Sequence, residues 1–260
     1  MKIEDFISEK EIIFSKDVNE KEFWYEEARE HYVGISEKIE KPDLYGKTLL
    51  IGERQFEKIY KMSVEISDIL KMKVPSIYVY EDFYEGLEAK GIEEPWIEMS
   101  SKTITDFSDK EIKFLLARAL CEIKLKHTEK KMIFSEYFKI IGELPIVKNL
   151  NKENLLEDAS KVRFFKWMRA SVYTEDNFAY LIVGDIDSCV SAILKTILNS
   201  TFLANNINVS EYIKQAEKIN LLEGDVYDYT KLDEKVPYGP FRIKNLISFA
   251  SSRRGMGVII

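Results

Sequence analysis

Residues 114–127 read FLLARALCEIKLKH and hold the side chains with the widest chemical range in the chain. Arg118 and Glu122 stand four residues apart, so on a helix they share a face and can pair. Cys121 is a candidate nucleophile. His127 is a candidate base, one of only two histidines with His31. On one helix, six residues put Cys121 and His127 on different faces and about 9 Å apart along the axis. Cys121 is therefore read as a buried packing thiol, and His127, within KLKHTEKK, as an exposed surface residue. Asp176 and Arg242 add a further carboxylate and guanidinium from later segments.

The elements that must position these groups are mostly helical. Ser108 is an N-cap with Glu111 as its capping-box partner, and one long helix is expected over 110–133. Residues 1–40 read as charged helix with spaced apolar positions such as Phe6, Trp24 and Tyr32, and 53–72 as a second amphipathic helix. SIYVY, after Pro75, and Trp96–Met99 read as strands; Gly86 and Gly91 flank a turn, and Thr103 and Thr105 lie in a loop. Further helices are expected near 134–142, 152–160, 161–183, 186–200, 210–222 and 240–252. The class is α+β, mostly α, with a small sheet near residues 76–99.

Composition narrows the function classes. A chain of 260 residues, 45% hydrophobic, can bury a sizeable core. A net charge of -7 and a pI of about 5.2 argue against a nucleic-acid partner. Two cysteines, Cys121 and Cys189, make no disulfide framework. No run of 18 apolar residues and no secretory h-region occur, so no membrane span and a cytoplasmic location are expected.

Four segments, in order, resemble the HtpX-like (CAAX-prenyl-protease-like) zinc metallopeptidase family over residues 50–255. GLEAKGIEEPWIEMSSKTI resembles the turn and strand at the edge of that family's active cleft. SDKEIKFLLARALCEIKLKH resembles its zinc-motif helix, H-E-x-x-H, with His127 on a histidine often found just beyond. KWMRASVYTEDNFAYLI resembles the helix that supplies the third ligand, keeping Trp167, Arg169 and Asp176. VPYGPFRIKNLISFASS resembles the C-terminal segment, keeping Pro237 and Arg242. The resemblance implies a gluzincin-type helical domain over 46–260, with its small sheet beside the former active-site helix, and an N-terminal helical extension over 1–45.

The departures fall on the chemistry. Arg118 stands where the first His ligand would be, Ala119 at the general base, Glu122 at the second His, Val172 at the third ligand and Val236 at the C-terminal His. Zinc needs three protein donors and an open water position. No metal and no cofactor are therefore expected, and the resemblance implies a pseudopeptidase that binds a peptide or protein partner, as a homo-oligomer or with an active paralogue. By the family pattern, Trp96, Ile97, Glu98 and Met99 would be the peptide-binding edge. Arg118, Glu122, His127, Asp176 and Arg242 are the cleft candidates. Arg118 is expected to pair with Glu122, and with Asp176, as a plug in place of metal. The alternative is an enzyme with non-peptidase chemistry in the same cleft.

Overall fold

The computed structural model describes residues 1–18, 23–143, 155–224, 231 and 234–257. After a 3-10 turn at Ile3–Asp5 come α1 (Glu9–Phe14), α2 (Phe23–His31), a π-helical turn (Tyr32–Ser36) and α3 (Glu37–Lys47). Then follow β1 (Leu49–Ile51), α4 (Glu57–Leu70), β2 (Ser76–Tyr80), β3 (Leu87–Lys90), β4 (Trp96–Ser100), α5 (Ser101–Asp106), α6 (Asp109–Lys124) and α7 (His127–Glu143). The rest is α8 (Leu155–Val183), α9 (Ile186–Leu198), α10 (Thr201–Asn205), α11 (Val209–Asn220), α12 (Gly239–Ala250) and α13 (Arg253–Gly257). The protein is mostly helical, with one small mixed sheet. No described helix is long and apolar enough to cross a membrane.

The sheet order is β1-β2-β4-β3, with β2 and β4 parallel and the outer pairs antiparallel. This corrects the placement of the edge. Trp96, Ile97, Glu98 and Met99 lie on β4, which is hydrogen-bonded on both sides. Trp96, Ile97 and Met99 are buried, as an inner strand covered by helices requires. The edges are β1 and β3, and β3 is the strand between Gly86 and Gly91 that reads as a turn in the sequence. Only four residues long, it carries too little alternation to announce itself. Thr103 and Thr105 lie on α5 rather than in a loop. Its start is capped by the Ser100 hydroxyl, which accepts from Thr103 N–H.

Gly91 closes β3 with φ +82°, and a Cβ there would come within 2.5 Å of the Trp96 ring. Gly91→Ala is therefore expected to destabilise the protein by about 2 kcal/mol, read as a urea-unfolding shift. An unchanged midpoint would mean that this corner relaxes freely.

The helix expected over 110–133 is two. Lys126 adopts φ +61°, α6 ends at Lys124, and α7 starts at His127. The reversal returns α7 to the protein and carries His127 inward. The helices expected at 152–160 and 161–183 form, from residue 155 on, the single α8, which runs against α6; residues 152–154 lie outside the described residues. At its start, α6 has the expected capping box: Ser108 N–H donates to Glu111 Oε2 at 2.6 Å. Ser191 Oγ and Lys195 Nζ from α9 reach the same carboxylate at 2.6 and 2.8 Å. That pins α6 to α9 at one end.

Two apolar cores flank α6 and α8. One gathers the sheet, α4, α6, α9 and α12 around Phe114, Leu116 and Phe178, and includes Phe6 from the N-terminus. The other joins Trp24 and Tyr25 of α2 to Phe134 of α7 and Phe164 of α8, whose rings stack 3.9 Å apart. Residues before 46 thus share both cores, and the boundary expected between 45 and 46 falls within α3.

Candidate functional site

Five elements converge behind the α6–α8 contact. On α8, residues 172, 175 and 176 are spaced 3 and 4 apart, so they share the face turned to α6. Glu175 and Asp176 are 1% and 0% exposed. Two carboxylates inside an apolar helix are costly unless cations meet them. Here every one is met.

Glu175 is the hub. Its oxygens lie 3.2 Å from Arg118 Nη2, 3.1 Å from His127 Nδ1 and 3.2 Å from Lys131 Nζ. Asp176 takes a two-pronged contact from Arg242 of α12, with Nε and Nη2 at 2.6 and 2.8 Å. Arg118 Nε also approaches Asp176 Oδ1 at 2.6 Å, but off the hydrogen-bond direction, so that buried N–H has no aligned acceptor. Lys131 Nζ reaches Glu122 Oε1 at 3.1 Å. Glu11 of α1 closes the network: its Oε1 lies 2.7 Å from His127 Nε2, and its other oxygen accepts from the Thr174 hydroxyl.

The network joins Arg118, Glu122, His127, Asp176 and Arg242 through Glu175. Two details differ from the sequence reading. Arg118 turns to Glu175 and Asp176 rather than to Glu122, which Lys131 takes instead. The reason is reach across the helix pair: α8 offers Arg118 two carboxylates, and its own face offers one. His127 is 2% exposed, not a surface residue. Its ring stands edge-on to Trp167 at 5.5 Å. Glu11, Lys131 and Glu175 were not among the expected site residues. The TED triplet within SVYTEDNFAYLIV was a usable signal for Glu175; Glu11 and Lys131 have none, because their contacts are made only by the fold.

Burial by itself draws an imidazole's pKa down. Here the hydrogen bonds to Glu11 and Glu175 outweigh it, and His127 is pushed up to about 9. The geometry agrees: both ring nitrogens face carboxylate oxygens, which only a doubly protonated ring satisfies. Burial pushes the Glu175 carboxyl up, but Lys131, His127 and Arg118 together hold it well below the usual carboxylate range. Glu122 goes the other way: burial raises it more than Lys131 lowers it. Cys121 is fully buried, and burial lifts its thiol well above the ordinary value. It has no activated thiolate.

The donor set does not suit zinc. The positions that the metallopeptidase resemblance would assign to ligands are Arg118, Glu122 and Val172, and a dication placed among them would face Arg118, Lys131 and the His127 imidazolium. Ala119 is buried and offers no base; Val236 is 46% exposed. Among the described residues, no group of three or more His, Cys, Asp or Glu side chains could hold a metal ion.

Glu122 and Lys131, 15% and 16% exposed, are the network residues that reach an open cavity. They line a cavity of ≈ 630 Å³, together with Glu88 and Ala89 of the β3 edge, Met132 of α7 and Met168 of α8. Comparison with protein families, characterised proteins and solved structures found no match for this chain.

Proposed function

We propose that this protein is a non-catalytic binding protein of metallopeptidase-like architecture, which holds an extended peptide in the cavity beside β3 without cutting it. The observation that carries the reading is the pairing of two features. Basic side chains gather at the α6–α8 contact, where the resemblance would place a metal, and next to them a cavity opens beside Glu88 and Ala89 of β3, an outer strand of the sheet. An unpaired strand edge is a template for main-chain hydrogen bonds from a peptide, and adjoining pockets supply selectivity. Phe138, Phe164 and Phe165 give this cavity apolar walls, and Glu122 and Lys131 share its polar lining with Glu88, Ser135, Lys161 and Lys235. Glu122 and Lys131 are already paired with each other, and neither a histidine nor a cysteine lines the cavity among the described residues, so its Ser135 hydroxyl has no imidazole in the lining to activate it. That favours binding over new acid–base chemistry.

The test is a randomised peptide library screened against the purified protein, with selected peptides measured by fluorescence anisotropy. Ser135 is exposed and lines the cavity. Ser135→Trp should fill it and weaken binding about tenfold or more, with the unfolding midpoint unchanged. Peptide cleavage by the wild-type protein, or equal binding by Ser135→Trp, would overturn the reading.

A further inference from the structure

A second cavity, of ≈ 390 Å³, opens on the opposite face of α8 and shares no lining residue with the first. It lies between α1, α8, the end of α11 and the start of α12. Lys10, Lys166, Arg169 and Lys231 line it, and so do the rings of Phe14, Tyr173, Tyr238 and Phe241. No carboxylate lines it among the described residues. In a chain of net charge -7, four cations line this one apolar pocket. A solvated basic face would need no rings and no concavity; a packing cavity would need no cations.

The cations are held in place. Lys10 Nζ lies 5.2 Å over the Tyr173 ring. Arg169 Nη1 donates to the Glu234 carbonyl, which fixes the guanidinium against the pocket wall. Burial draws the Arg169 pKa below its ordinary value despite the opposing effect of Tyr173 and Glu234. Lys10 is exposed and Lys166 partly so, which puts two charges where an incoming headgroup meets them first.

We propose that this pocket binds a small amphiphilic anion, an apolar body bearing one carboxylate or phosphate. The rings cover the apolar body, and the basic side chains take the headgroup. The volume falls within the range of small-ligand sites and is too small for a folded partner.

The experiment is isothermal titration with decyl phosphate and decanoate below their micellar concentrations. Inorganic phosphate and decyltrimethylammonium serve as the headgroup-only and opposite-charge comparators. Both amphiphilic anions should bind once per chain, inorganic phosphate about tenfold or more weakly, and the cation without detectable heat. Lys10→Glu/Lys166→Glu should weaken decyl phosphate about tenfold or more. Lys166→Ala alone, a milder change for the case in which the double reversal impairs folding, should weaken it about threefold. Equal binding of the cation would overturn the proposal. So would unchanged affinity in both variants, or binding seen only on anionic vesicles and never with soluble decyl phosphate.

Discussion

Glu175→Gln is expected to lower folding stability by about 3–5 kcal/mol, the usual cost of removing one partner from a buried ionic group. The side chain is almost isosteric, so the loss reports charge and not packing. What remains is a set of cations at Arg118, Lys131 and His127 that Glu175 holds at 3.1–3.2 Å. Urea unfolding measures it, with Glu65→Gln as the control. Glu65 is 61% exposed and pairs with Lys113 at 3.0 Å, a surface pair whose loss costs under about 0.5 kcal/mol. Glu175→Gln/Lys131→Met should recover part of the loss, because it restores the charge balance, with Glu11, Glu122 and Asp176 facing Arg118, Arg242 and the His127 imidazolium. If Glu175→Gln behaved like Glu65→Gln, the network would have no structural weight, and the plugged-site reading would lose its physical basis.

The second large effect is on pH. Four carboxylates (Glu11, Glu122, Glu175 and Asp176) face Arg118, Lys131, Arg242 and the His127 imidazolium, so the cluster is balanced only with His127 charged. Its folded pKa, about 9, lies above the ordinary 6.5. The contribution is therefore fully present below pH 6.5 and is lost as pH rises through 9. At 1.36 kcal/mol per unit the loss reaches about 3 kcal/mol. Stability measured by urea between pH 6 and 10 should fall over that window in the wild type, and His127→Gln should remove the fall. A wild-type curve flat from pH 6.5 to 9 would place a neutral imidazole between the two carboxylates, and the charge assignment would fail. Glu175 has the opposite sign. Its carboxyl is held low, so its contribution is present above the ordinary value of 4.5 and is lost only in strong acid.

These two groups differ in how far the sequence announces them. The acidic pair at 175–176 stands out because an apolar stretch, 178–183, follows within two residues, and burying charge there demands a counter-charge somewhere. His127 gives no such sign. Its neighbours Lys124, Lys126, Lys130 and Lys131 read as solvated, and only the left-handed turn at Lys126 points the imidazole inward. A lysine in that conformation is unusual for its residue type, so the turn is held by the packing of α7 on α2 and not by local preference.

Local chemistry fixed what repeats on a short scale. The capping box of Ser108 and Glu111, the strand Ser76–Tyr80, the N-cap of α9 at Asp185 and the i,i+4 spacing of Arg118 and Glu122 all depend on neighbours within a few residues. Apolar periodicity was enough to place most helices and the mostly α class. Tertiary structure decided everything that depends on which faces meet. The strand order put Trp96–Met99 inside the sheet and left β3 at its edge. Contacts across more than 160 residues of chain brought Glu11 to Thr174, and the α6–α8 pairing gave Arg118 two carboxylates in preference to Glu122. The physical reason is range. Hydrogen bonds within a turn and the period of a helix are set by adjacent residues. The partner of a buried charge is set by the free energy of removing it from water, which is settled only when the whole core closes.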